Sequence, residues 1–227
     1  MKKKLVILTG AGMSAESGIS TFRDSNGLWE NHDIMEVASP EGWQKNPALV
    51  LDFYNKRRAQ LKEVNPNRGH EIIAELEEKF DVQIITQNVD NLHERAGSSK
   101  VLHLHGELTK VRSTKNSHYV IDWTDDLHIG DTAPDGSQLR PHIVWFGEAV
   151  PNISEAIPLL EETDILIIIG TSLQVYPAAG LIRYTKKHVP IYYIDPKPAK
   201  IMDSRNIIET ISLSASEGIK KLIERGI

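Results

Sequence analysis

The chain has no cysteine in 227 residues. That absence excludes disulfides, thiolate metal ligands and a cysteine nucleophile. A basic excess is missing too: 26 Lys and Arg stand against 31 Asp and Glu, a formal charge of −5. Without the positive field that dominates nucleic-acid affinity, DNA or RNA is not expected as a principal partner. Long apolar runs are also lacking. Lys2, Lys3 and Lys4 precede only Leu5 to Leu8 before Thr9 and Gly10, too short for a signal segment or a membrane span. A cytoplasmic protein with no membrane partner is the expectation. No internal repeat or low-complexity tract occurs.

What is present is ordinary globular material, 25% charged and 40% apolar. The length suits one large domain, or a main domain with insertions, burying roughly 70% of its unfolded surface. Short apolar runs alternate with helical patterns, as in a parallel α/β sheet. The expected strands are 5–8, 82–85, 101–104, 165–169, 190–194 and 208–213, with helices starting near Ser14, Gly69, Val89, Ser154, Pro177 and Glu217. Two stretches break this rhythm. One, 32–66, carries Pro40, Pro47 and Pro66 around an amphipathic segment from Ala48 to Leu61. The other, 108–145, has a turn signal at Pro134-Asp135-Gly136 and reads as a ribbon insertion.

Ligands of open α/β sheets bind beyond the carboxyl ends of the strands. After the first strand comes Thr9-Gly10-Ala11-Gly12-Met13-Ser14-Ala15, in which the glycines would let backbone amides approach a pyrophosphate. A tight strand-to-helix turn explains the same residues. No second strand ending in an acid follows about 20 residues on, so this is not an ordinary dehydrogenase half. After the second strand stands Thr86-Gln87-Asn88-Val89-Asp90-Asn91, more polar than a helix cap needs.

The third strand gives His103-Leu104-His105-Gly106-Glu107, with both histidines on one face. A metal pair completed by Glu107, a catalytic base and a satisfied core histidine are all compatible with it. His105, at the strand's end, is favoured as a base. Gly170-Thr171-Ser172 and Asp195-Pro196-Lys197 end the later strands. The first suits a phosphate or ribose; the second suits a ribose hydroxyl or a simple turn.

In this order the segments resemble the sirtuin family of NAD-dependent protein deacylases. The likeness rests on 10–14, 17–19, Phe22-Arg23, 86–93, His105-Gly106, 141–148, 170–172, Val175 and 177–179. It implies a Rossmann-type parallel sheet with helices on both faces, formed by 1–31, 67–107 and 146–227. Insertions 32–66 and 108–145 would form a smaller lobe. NAD, consumed as co-substrate, would lie along Gly10, Ala11, Gly12, Ser14, Ala15, Phe22, Arg23 and Trp29. Gln87, Asn88, Val89 and Asp90 would surround its nicotinamide ribose. Gly170, Thr171, Ser172, Asp195, Pro196, Lys197 and Ala215 would hold the adenosine half.

The resemblance further implies that His105, with Asn88 and Asp90, is catalytic. The acyl oxygen of a substrate lysine would displace nicotinamide, His105 would deprotonate a ribose hydroxyl that attacks the resulting imidate, and water would then release free lysine and O-acyl-ADP-ribose. Phe146, Gly147, Glu148, Val175 and Tyr176 would pair with the acyl-lysine peptide. Tyr54 and Arg57, three apart on one helical face, match the family's succinyl-removing subgroup, in which arginine grips a carboxylate. Two alternatives remain: an NAD glycohydrolase or ADP-ribosyltransferase, and a noncatalytic NAD-binding module.

One departure is plain. The family's small lobe normally carries two cysteine pairs for zinc, whereas 111–140 has none. His118 and His128 lack zinc-ribbon spacing, so a metal-free lobe held by packing, including Trp123, is expected.

Overall fold

The computed structural model describes residues 2–20, 28–29, 32–199 and 208–227, so Phe22 and Arg23 lie outside the described residues. β1 (Lys4–Thr9) is followed by single 3₁₀ turns at Ala11–Met13 and Ala15–Ser17. β2 (Leu28–Trp29) pairs with β3 (His32–Asp33), and α1 (Ile34–Val37), α2 (Pro40–Lys45) and α3 (Pro47–Glu63) follow. α4 (Arg68–Glu75) leads to β4 (Asp81–Thr86), α5 (Leu92–Arg95) and β5 (Val101–His103). β6 (Gly106–Ser113), β7 (Val120–Asp122) and β8 (Leu139–Ile143) make a separate antiparallel sheet. α6 (Ile153–Glu161), β9 (Ile165–Ile169), a 3₁₀ segment Ala178–Tyr184, β10 (Ile191–Ile194), β11 (Ile208–Ile211) and α7 (Ala215–Glu224) complete the chain.

The large sheet is parallel throughout, in the order β11-β10-β9-β1-β4-β5. Its apolar runs are continuous because both faces are covered, as a parallel sheet requires. Leu5 and Ile7 of β1 point toward α4 and α7, meeting Ile72, Ile73, Ile219 and Leu222. Val6 and Leu8 point the other way, toward Ala156 and Leu160 of α6 and Leu181 and Ile182. Each such fully buried aliphatic side chain contributes roughly 1.5–3 kcal/mol.

Two expected helices are shorter than the pattern suggests. Near Ser14 the chain forms only 3₁₀ turns, stopped by Gly18 at φ +93°. Near Val89 the helix begins at Leu92, because the Leu92 amide turns back to Asp90 Oδ1 at 3.2 Å. α3 is longer than expected. Pro47 opens it just after Asn46, whose side chain caps the Leu49 amide at 3.1 Å. The expected ribbon is a twisted antiparallel sheet with a bulge between Gly106 and Val111.

Leu51, Val111, Leu127, Ala133 and Leu139 form the centre of that lobe, with Trp123 packed against them. Packing is not its whole support. The buried Ser113 hydroxyl donates to Asp135 Oδ2 at 2.8 Å and accepts the amides of Lys115 and Asn116 at 3.1 and 2.9 Å. Ser137 Oγ donates to Asp135 Oδ1 at 2.6 Å and lies 2.7 Å from Ser113 Oγ. This polar knot ties the start of one ribbon loop to the end of the other. Among the described residues, no group of three or more His, Asp or Glu side chains converges to hold a metal. Ser113→Ala should cost about 1–3 kcal/mol in urea unfolding, because two amides lose their acceptor. An unchanged midpoint would show the knot to be dispensable.

Candidate functional site

The carboxyl ends of β1, β4, β5 and β9 meet in one hydrogen-bonded cluster. The Gly10 amide donates to Ile169 O at 3.0 Å and the Gly12 amide to Gly170 O at 2.8 Å. The two loops touch so closely that a Cβ on Gly12 would stand 2.7 Å from the Gly170 Cα. Only glycine permits this approach, and it leaves a side-chain-free groove along the loop.

Across the groove, Asn88 Nδ2 donates to Ser14 Oγ at 3.0 Å, and Ser14 Oγ donates to Asp90 Oδ2 at 2.9 Å. Gln87 Nε2 donates to Thr171 Oγ1 at 2.9 Å. Sequence-expected residues from three separate segments are thereby joined. Asp90 is only 7% exposed. Burial pushes its carboxyl up, and the Leu92 amide and Ser14 hydroxyl work against that.

The two histidines of the third strand have opposite environments. His105 is half-buried and gives its Nδ1 hydrogen to Gln87 O at 3.0 Å. The carbonyl can only accept, so the neutral ring carries its proton on Nδ1 and leaves Nε2 with a lone pair. Burial lowers its pKa, which keeps the ring neutral and basic.

His103 is 6% exposed. Its Nδ1 lies 2.9 Å from Asn88 O and its Nε2 2.8 Å from Glu94 Oε1. Of the readings left open by the sequence, this is the satisfied core histidine. Glu107 pairs instead with Lys110 at 2.7 Å.

Tyr54 has no exposed surface, and its hydroxyl oxygen accepts the Trp145 indole N–H at 3.1 Å. Burial pushes the phenol above its usual range. Arg57 lies beside the Phe53 ring. With Tyr54, Trp29, Ile19, Val89 and Asp90 it lines a narrow cavity. Trp29 holds this wall edge-on against Phe53 at 4.8 Å and Tyr54 at 6.1 Å.

Phe146, Val175 and Tyr176 are exposed at 42%, 40% and 67%, and Gly147 has φ +90°. The Glu148 side chain turns inward. It takes Arg140 Nη1 at 2.7 Å, Arg112 Nη2 at 3.1 Å and the Trp145 amide at 2.8 Å, and its own amide donates to Trp145 O at 3.0 Å. Asp195 is buried and accepts the Lys197 amide at 2.8 Å, so part of its role is the strand-ending turn. Pro196 and Lys197 are exposed. Ala15 is exposed, Ala11 and Ser172 are half-buried, and Ala215 begins α7.

Sequence reasoning missed the support beneath these groups. Thr9 Oγ1 donates to Thr86 Oγ1 at 2.8 Å, and Thr86 Oγ1 accepts the Asn88 amide at 3.0 Å. His93 Nε2 lies 3.1 Å from Thr9 Oγ1. Tyr193 donates to Thr171 O at 2.7 Å. Threonines inside apolar strands were the available signal, since a buried hydroxyl must find a partner.

The Sir2 family model matches residues 10–177. The chain is 61% identical over 223 residues to a Helicobacter pylori protein called NAD-dependent protein deacylase, covering 98% of this chain and 97% of that one. A Bacteroides thetaiotaomicron protein of the same name is 59% identical over 226 residues, covering 97% and 96%. A solved Sir2 homolog–NAD complex superposes with a TM-score of 0.85 at 38% identity, covering 99% of this chain and 89% of its own. Among the described residues, no helix is long and apolar enough to cross a membrane.

Proposed function

Because this chain belongs to the Sir2 family, we propose that it is an NAD-dependent protein-lysine deacylase acting on acyl-lysine proteins in the cytoplasm. What supports the reading is the convergence of Gly10, Gly12, Ser14, Gln87, Asn88, Asp90, His105, Gly170 and Thr171 at one edge of the sheet. Segments 1–31, 67–107 and 146–227 would form the NAD-binding body, and 32–66 with 108–145 the small lobe.

The residues fit NAD. The Gly10–Gly12 loop presents no side chain, and a Cβ at either glycine would strike Gly170 or Thr171, so only backbone would face a pyrophosphate there. Ala11, Ala15, Phe22, Arg23 and Trp29 would complete that half, and Ser172, Asp195, Pro196, Lys197 and Ala215 the adenosine half. When bound, NAD supplies a ribose carbon that becomes electrophilic as nicotinamide leaves. Asn88, Val89 and Asp90 orient that ribose. His105 takes a hydroxyl proton at Nε2. Phe146, Gly147, the Glu148 backbone, Val175 and Tyr176 hold the peptide.

With NAD and an acetyl-lysine peptide, nicotinamide release should require the peptide. Equal release without it would favour a glycohydrolase or transferase, and no release a noncatalytic NAD-binding module. Arg57 in the cavity further supports removal of succinyl and malonyl groups. Arg57→Met should lower desuccinylation about ten- to a hundredfold, the worth of a charge-assisted hydrogen bond, and deacetylation far less. Equal losses on both peptides would refute recognition by Arg57.

A further inference from the structure

Every hydrogen-bonding group of the Asn88 backbone and its side-chain N–H are tied down. Its amide reaches Thr86 Oγ1 at 3.0 Å, its Nδ2 reaches Ser14 Oγ at 3.0 Å, and its carbonyl faces His103 Nδ1 at 2.9 Å. His103 itself borders neither the glycine groove nor the Arg57 cavity. Resting on the deacylase reading, we propose that His103 is a positioning residue: its imidazolium, clamped between the Asn88 carbonyl and Glu94, holds loop 87–90 in the shape the reaction needs.

The charge state follows from the partners. Both neighbours of the ring, a carbonyl and a carboxylate, can only accept. Both ring nitrogens must therefore carry hydrogen, and only the imidazolium does so. A neutral ring has one hydrogen to share. The charge-assisted bond to Glu94 is the stronger, so the Asn88 carbonyl is the partner left facing a lone pair.

The surroundings agree. Burial alone would lower the His103 pKa, but Glu94 of α5, the Asn88 carbonyl and Glu107 of β6 together raise it above 6.5. Asp90 in the loop is a further acid nearby; burial pushes its carboxyl up, and the Leu92 amide, the Ser14 hydroxyl and His103 offset that only in part. His93 of α5 is held neutral chiefly by burial, and Lys110 of β6 helps hold the Glu94 carboxyl down. From the α6 side, Asn152 Nδ2 binds the His103 carbonyl at 2.7 Å and fixes the strand end. Because the pKa is raised, the clamp is intact on the acid side and opens as pH climbs through it.

The test is a pH series of kcat/KM for NAD, with acyl peptide saturating, on wild type, His103→Asn, His103→Gln and His103→Ala. Asparagine can place an N–H near the position of Nδ1; glutamine places its amide near Nε2, beside Glu94. Wild type should lose activity on the alkaline side, with a midpoint above the ordinary histidine value. His103→Ala and His103→Gln should fall about ten- to a hundredfold at neutral pH, the scale of a misplaced reacting group. His103→Asn should keep most of the activity and show no such alkaline loss. If the alanine variant does not fold, the glutamine and asparagine pair carries the comparison. Wild-type turnover matched by His103→Gln, or an asparagine variant as impaired as glutamine, would overturn the positioning role alone. A wild type without NAD-dependent deacylation would overturn the functional reading and this inference with it.

Discussion

His105→Ala should lower kcat for deacylation roughly 10²–10⁴-fold, the usual contribution of a general base, while NAD still binds. Gln87 O holds the proton on Nδ1 at 3.0 Å, so Nε2 is the basic atom and its direction is set by the strand end. A ring that only packed the core would give a stability loss and little kinetic effect. Burial also lowers the His105 pKa, which fixes the sign of the acid dependence. The base works when neutral, so activity should persist below pH 6.5 and fall only as the ring becomes protonated. Turnover and NAD affinity measured together decide the matter; an alanine variant with wild-type kcat, or one whose whole loss is in NAD affinity, would remove His105 from the chemistry.

The second large effect concerns a residue with no side chain. Gly170 has φ +65°, and a Cβ there would stand 2.4 Å from the Met13 amide nitrogen and 2.5 Å from the Gly12 carbonyl carbon. Gly170→Ala should cost about 3 kcal/mol or more, combining the left-handed penalty of roughly 1–2 kcal/mol with a backbone clash that no rotamer relieves. NAD binding should weaken as well, because the Gly10–Gly12 loop must retreat from the β9 end. Gly136 is the control: its φ is +75°, but nothing lies within 4 Å of a Cβ. Gly136→Ala should therefore show the left-handed penalty alone. Equal losses in urea unfolding for the two variants would mean that the close approach of the loops contributes nothing.

Strand positions were legible because a parallel sheet covered on both faces needs uninterrupted apolar runs, and such runs as 165–169 coincide with β9. The loop 10–14 was legible for a related reason: few residues other than glycine allow backbones to touch. Helix lengths near Ser14 and Val89 were not, since local propensity there yields to amides that turn toward site carboxylates and loops. The ribbon's support also escaped notice. Serine and aspartate in a loop are common, and only the fold brings Ser113 within reach of Asp135 across 22 residues.

The sequence by itself determined the layered α/β sheet, the segments that end at its carboxyl edge, and the exclusion of thiol chemistry. The sequence favoured His105 as the base, but tertiary structure alone decided what surrounds each of the two histidines. Strand alternation would put His103 and His105 on the same face, alike in the sequence, whereas β5 ends at His103 and His105 lies just beyond it. One meets a carbonyl and a carboxylate from different elements and becomes a buried cation; the other meets a single carbonyl and remains a neutral base. Proton affinity is set by what surrounds a ring in space, and for these two rings the deciding neighbours are brought in by separate elements of the chain.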